Sequence, residues 1–282
     1  MSSQNLKHIK AFVFDVDGVL KKGKNRLNGA KEIITLLNDR NIPFRILTNN
    51  PFLYQKTIEE RFTTIGLNID GSKCFGAAHP LKSYLEKNNI HSGSVFFVGE
   101  ENPDDLFKQF GLFCTQDLSK QDIKAVIMLD DDFAWNNELI AKIFNLLIEN
   151  PDLPWIVANP DFVFPIEDNI YFPTSGSMAK WIIDLCKLKN VDVEPIYFGK
   201  PYTPVYQILE DDLMYENNSL KKSNILMIGD TPGTDILGAN TMGWTSALVK
   251  TGNYRYHASH SGCKPTFTFN NLNELIQTYF YD

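Results

Sequence analysis

Four short apolar runs, each closed by a polar signature of its own, constrain this chain more than any other feature of its sequence. Residues 11–14 run into Asp15-Val16-Asp17-Gly18, and residues 44–47 into Thr48-Asn49-Asn50. Residues 196–198 run into Gly199-Lys200-Pro201, and residues 225–228 into Gly229-Asp230-Thr231-Pro232-Gly233-Thr234-Asp235. Short, mostly apolar runs are the pattern of strands buried on both faces, as in parallel sheet. Residues 94–98, 125–129, 155–158 and 245–249 read the same way. Between the runs lie helix-spaced segments: Ile33, Ile34 and Leu37 within 30–37, residues 58–65 closed by Gly66, the broad apolar face of 136–148, and a closing helix at 271–279. The alternation predicts an α/β fold, a parallel sheet flanked by helices. In open sheets of this kind ligands bind beyond the carboxyl ends of the strands, so the four signatures are predicted to line one crevice. The stretch 80–188 holds a complete α/β alternation without such a signature. It is read as an inserted domain, with residues 1–79 and 189–282 forming the core.

The signatures together are parts for moving a phosphoryl group. A phosphate monoester dianion repels a carboxylate nucleophile, so counter-charge is needed first. Mg²⁺, a hard ion held by one or two carboxylates, waters and substrate oxygens, suits the task. Asp15 and Asp230 are the natural carboxylate ligands, with the Asp17 backbone carbonyl as a third donor. Lys200 adds a point charge, while the Thr48 hydroxyl and the N–H groups around Asn49 hold the phosphate oxygens. Asp15 then attacks phosphorus, and Asp17 gives a proton to the departing alkoxide and later takes one from water. A calcium loop is excluded, because Gly18 falls two places too early and Arg26 stands where the bidentate Glu belongs.

In order, Asp15-Val16-Asp17-Gly18, Thr48-Asn49-Asn50, Lys200, and Gly229-Asp230 through Asp235 resemble the four motifs of the haloacid dehalogenase (HAD) superfamily. Asp at the second acidic position resembles its phosphatase branch. Leu129-Asp130-Asp131-Asp132-Phe133, Asn159-Pro160-Asp161 and Gly199-Lys200-Pro201 are similar to the NagD-like and 4-nitrophenyl phosphatase group. The resemblance spans about residues 11–275 and implies a Rossmann-like core with an inserted α/β cap. It also implies Mg²⁺ held by Asp15, Asp17 and Asp230, a small phosphorylated metabolite as substrate, and homodimerisation through the cap. For Asp235 it implies a supporting role, holding a metal-bound water or orienting Lys200. Two rival readings share the fold: a non-catalytic phosphometabolite sensor or scaffold, and a phosphotransferase to an acceptor other than water.

A net charge of -7 and a pI near 5.3 argue against nucleic acid and anionic membrane as partners. The polar N-terminus, the absence of a long apolar run and four scattered cysteines predict a cytoplasmic protein with reduced thiols. The segment from Asn159 to Ser177, with Phe162, Phe164, Tyr171 and Phe172, is the candidate specificity element. Its other reading has Ser177 capping a helix and the aromatics filling the cap interior. Asp130–Asp132 and His257/His260 read as solvated loops, and Lys21 and Lys22 either as solvated surface or as an attractor for an anionic leaving group.

Overall fold

A computed structural model of the chain describes residues 6–99, 103–119, 122–129, 135–167, 170–255 and 262–281. Asp130–Asp132, His257 and His260 lie outside these residues. In chain order the elements are β1 (Ala11–Phe14), β2 (Lys21–Lys22), β3 (Asn25–Arg26), α1 (Ala30–Asp39), β4 (Phe44–Thr48), α2 (Gln55–Thr64) and β5 (Cys74–Gly76). Then come α3 (Pro80–Lys87), β6 (Gly93–Val98), α4 (Asp104–Lys108), β7 (Leu112–Thr115), β8 (Ile123–Met128), α5 (Asn137–Glu149), β9 (Trp155–Val157), β10 (Val163–Glu167), β11 (Ile170–Pro173), α6 (Ser175–Leu188) and β12 (Ile196–Tyr197). The chain closes with α7 (Thr203–Glu216), β13 (Ile225–Gly229), α8 (Leu237–Met242), β14 (Thr245–Val249), β15 (Phe267–Phe269) and α9 (Leu272–Phe280).

Two compact units result: Met1–Thr48 with Tyr54–Phe75 and Lys200–Asp282, and Asn49–Leu53 with Gly76–Gly199. In the first, six strands are ordered β15-β14-β13-β1-β4-β5. β1 lies parallel to both neighbours, Phe14 opposite Ile228 of β13 on one side and Ile46 of β4 on the other. The chain winds outward from β1 through β4 and β5 and separately from β13 through β14 and β15. The strand order therefore reverses beside β1, which is where such sheets open a crevice. All four β1 residues are fully buried. Ala11 and Val13 pack with Leu47, Ile225, Met227 and the α7 residues Val205, Tyr206, Leu209 and Leu213. Helix ends are set locally: Asn271 caps α9 by accepting from Glu274 N at 3.1 Å, and Gly66, at φ 69°, turns the chain after α2.

The second unit has its own all-parallel sheet, ordered β12-β9-β8-β6-β7, covered on one side by α5 and α6. Here two expectations change. The strand before Lys200 pairs Ile196 and Tyr197 with Ile156 and Val157 of β9, so it belongs to this sheet and not to that of Asp15. The division accordingly falls at Gly76 and Gly199 rather than at 80 and 188. Ala77, Ala78, Val193 and Phe198 sit in the second unit's cores, and their burial draws the flanking residues with them.

Candidate active site

The switch point beside β1 sets the first contact. Asp15 follows β1 and its N–H donates to Ile228 O at 2.9 Å, while Asp230 follows β13, so the register brings both carboxylates to one end of adjacent strands. Asp15, Asp230 and Asp235 are all buried, each offering an oxygen within 4.8 Å of the others'. Lys200, 3% exposed, donates from Nζ to Asp15 Oδ1 at 2.6 Å and to Asp235 Oδ1 at 2.7 Å. Asp235 Oδ2 accepts from Asp230 N at 3.1 Å and Thr231 N at 3.0 Å. One carboxylate thus fixes both the lysine and the backbone carrying Asp230. Of the two expectations for Asp235, the orientation of Lys200 is the contact the structure shows. Thr48, at the end of β4, is buried in the same unit; Asn49 is buried in the second, its Oδ1 against Gly199. Asp17 is exposed, and its carboxylate pairs with Lys21 Nζ. Lys21 and Lys22 form β2 of a hairpin, where the sequence offered solvated surface or anion attraction.

Gly18 has φ +83°, and a Cβ there would fall on the Asp230 carboxylate, so the turn after Asp17 admits only glycine. Gly252 is excluded from carrying a side chain by the same carboxylate. It belongs to a fifth strand end that the sequence reading passed over, Thr251-Gly252-Asn253 after β14. Asn253 N donates to Asp230 Oδ2 at 2.6 Å, and Thr251 Oγ1 donates to Gly18 O. The signal was present, since residues 245–249 read as a strand and a polar stretch with glycine follows.

Tyr206 of α7 is the second residue the sequence did not single out. Fully buried, its hydroxyl lies 3.1 Å from Thr234 O and 3.3 Å from Asp235 O. These carbonyls belong to a π-helical turn at Pro232–Ile236, the turn that carries Asp235. Tyr206→Phe keeps the ring and removes the donor. It is expected to lower turnover several-fold through the Asp235–Lys200 contact, with little change in KM; steady-state kinetics checks this.

The electrostatics call for a cation. Burial, reinforced by Asp235, lifts Asp230 to about 7 against the hydrogen bonds from Asn253 and Thr231. Burial likewise pushes Asp15 well above the usual carboxylate range, with Lys200 opposing and Asp235 and Asp230 adding to the rise. Burial alone would lower the Lys200 ammonium, but Asp15 and Asp235 outweigh it and hold it well above its ordinary value. Three carboxylates against one ammonium leave surplus negative charge, and their hard oxygen donors fit a hard divalent ion. Asp15 and Asp230, with the Asp17 carbonyl, would hold it, since Asp235 is spent on Lys200 and two N–H groups.

Asp230 stands at about 7 when folded against an ordinary 3.8, so the folded protein binds a proton the unfolded chain lacks between those values. That stabilisation is complete below about pH 4 and lost as pH rises through about 7. Thermal melts of metal-free protein should give a lower Tm at pH 8 than at pH 5, and a divalent cation should flatten the difference; a Tm rising with pH contradicts the charge balance.

In the second unit the Asn159–Ser177 segment is held together by hydroxyls. Ser175 Oγ donates to Asn159 O at 3.0 Å, Asn159 Oδ1 accepts from Asp161 N at 3.0 Å, Thr174 Oγ1 donates to Asp161 O, and Ser177 Oγ to Phe162 O. Ser177 is therefore not the helix cap; α6 starts at Ser175 with Thr174 in the cap position. Phe162 and Tyr171 are half exposed rather than filling the interior.

The profile of the haloacid dehalogenase-like hydrolases matches residues 12–113, and a second HAD-hydrolase-like profile matches 197–275. Among curated relatives, a chloroplastic phosphoglycolate phosphatase (1A) of Arabidopsis thaliana is 27% identical over 271 residues, 89% of this chain and 71% of that protein. An acid sugar phosphatase of Staphylococcus aureus is 25% identical over 96% of this chain and 98% of its own. Among solved structures, a possible sugar phosphatase of the HAD superfamily from Cytophaga hutchinsonii superposes with a TM-score of 0.83 at 27% identity, covering 95% of both chains.

Proposed function

The chain belongs to the haloacid dehalogenase-like hydrolases, as a phosphatase, and on that premise we propose that it hydrolyses a small phosphomonoester with Mg²⁺, through an aspartyl-phosphate on Asp15. The observation that carries the reading is the Lys200 ammonium bridging Asp15 and Asp235 beside Asp230. When bound, the ion supplies positive charge that lets the phosphate dianion approach a carboxylate. Lys200 occupies Asp15 Oδ1 and so directs Oδ2 toward phosphorus. As the Asp15–phosphorus bond forms, the ester bond breaks and the leaving oxygen takes a proton from Asp17. Asp17 then takes a proton from water, whose oxygen attacks phosphorus and releases orthophosphate and free Asp15. The Thr48 hydroxyl holds a phosphate oxygen in line during both displacements.

The second unit is proposed to choose the leaving group, because the first unit's chemistry is indifferent to it. The half-exposed Phe162, Val163 and Tyr171 around the β10–β11 hairpin support assembly of two copies through that unit. Four free thiols support a reducing compartment, and among the described residues no helix is long and apolar enough to cross a membrane.

The test measures orthophosphate release from a panel of monoesters, with Mg²⁺ and after chelation, and traps the phosphorylated protein by acid quench. Release that requires Mg²⁺ together with label on Asp15 is expected. Release without label on Asp15 would remove the intermediate, and release unaffected by chelation would remove the metal.

A further inference from the structure

We propose that Lys21 is a substrate contact: its ammonium receives an anionic substituent, a carboxylate or a second phosphate, on the alcohol half of the monoester. The inference rests on the proposed role of Asp17 as proton donor to the leaving oxygen. Lys21 Nζ sits on Asp17 Oδ1, one hydrogen bond from the carboxylate that meets that oxygen. A substituent one or two carbons from the ester reaches the same place.

The lysine is built into the nucleophile's own turn. Lys21 N donates to Val16 O at 3.0 Å, and Gly18 N donates to Lys21 O at 2.7 Å. The β2–β3 hairpin is pinned behind it, with Arg26 Nη1 donating to Ile65 O at 2.9 Å and Gly66 O at 3.1 Å, and Leu27 N to Leu20 O at 3.0 Å. A charge offered from a pinned element loses less freedom on binding than one on a loose loop. Capacity remains at the ammonium. Of its three donors Asp17 takes one, and Gly23 O lies at 3.5 Å, the outer limit of a hydrogen bond. Lys200 cannot serve instead, being enclosed between Asp15 and Asp235, whereas the Lys21 side chain keeps 28% of its surface exposed.

The experiment compares three two-carbon monoesters that differ in their far end: carboxymethyl phosphate, ethylene glycol bisphosphate and the neutral 2-hydroxyethyl phosphate. Wild-type protein is expected to favour one or both anionic esters in kcat/KM, and the arm that wins identifies the anion. Lys21→Gln should remove about tenfold of that preference, mainly through KM, while Lys21→Arg retains most of it. Lys24→Gln, at the exposed hairpin tip, should leave the ratio as it is. A Lys21→Gln variant that slows all three esters equally would make the lysine only a prop for Asp17 and overturn the proposal, as would wild-type turnover without a preference for charge. Wild-type protein inert toward all three while it releases phosphate from other monoesters would overturn the proposal as well, and inertness toward every monoester would overturn the hydrolase reading with it.

Discussion

Asp15→Asn should abolish turnover, by at least about a thousandfold, while the protein stays folded. The loss is large because an amide cannot form the acyl-phosphate, and the other residues acting with a missing nucleophile recover only a small residue of catalysis. The fold should survive because the replacement has the same shape and keeps an oxygen able to accept from Lys200 Nζ. It also takes one negative charge out of a buried group of three, whose mutual repulsion and burial hold Asp15 and Asp230 above the carboxylate range. Metal-free Asp15→Asn protein should therefore melt no lower than the wild type at pH 8. Phosphate release and thermal melts on the same preparation check both halves, and wild-type rates in this variant would refute Asp15 as nucleophile.

Lys200→Met has the opposite balance. The methionine fills much of the lysine's volume but leaves Asp15 and Asp235 without the ammonium that both now touch at 2.6 and 2.7 Å. Removing one partner of a buried ion pair costs about 3–5 kcal/mol, because the charge left behind has lost its compensation. Turnover should fall about a hundredfold or more, since neither the nucleophile nor the phosphate retains that fixed positive charge. Excess divalent cation should recover part of the lost Tm, by neutralising carboxylates, but little of the lost rate, because Asp15 is no longer aimed. Recovery of the full rate by metal alone would mean that Lys200 supplies only charge and no orientation.

Much of this site was legible before any coordinates. Asp15, Thr48, Lys200 and Asp230 each announce themselves as polar residues at or just past the end of a short, mostly apolar run, with Asp235 following in the loop of Asp230, and burial of the run dictates that the next polar group emerges at the strand's end. The sequence does not carry strand pairing. Residues 196–198 look like any other buried strand, yet they pair with Trp155–Val157, because pairing depends on which neighbours compete for the edge. Tyr206 was invisible for a related reason: an aromatic on an apolar helix face reads as core packing, and only the π-helical turn against it reveals a use for the hydroxyl. Lys21 was ambiguous, since a basic residue in a polar stretch reads as solvated until the backbone turn places it on Asp17. Asn253 was missed although its strand was recognised, because its contribution is a backbone N–H, which every residue type but proline can offer.

The pairing of β1 with β13 has a consequence for how the protein is made. The strand bearing Asp15 leaves the ribosome before the second unit, but its partner at residues 225–228 leaves after it. Contacts so distant along the chain form late, whereas the second unit's sheet is complete by Tyr197 and free to condense beforehand. A nascent polypeptide therefore holds an aspartate without its companions until β13 and the turn after it have been made, and phosphate chemistry is withheld from any product that stops short of them.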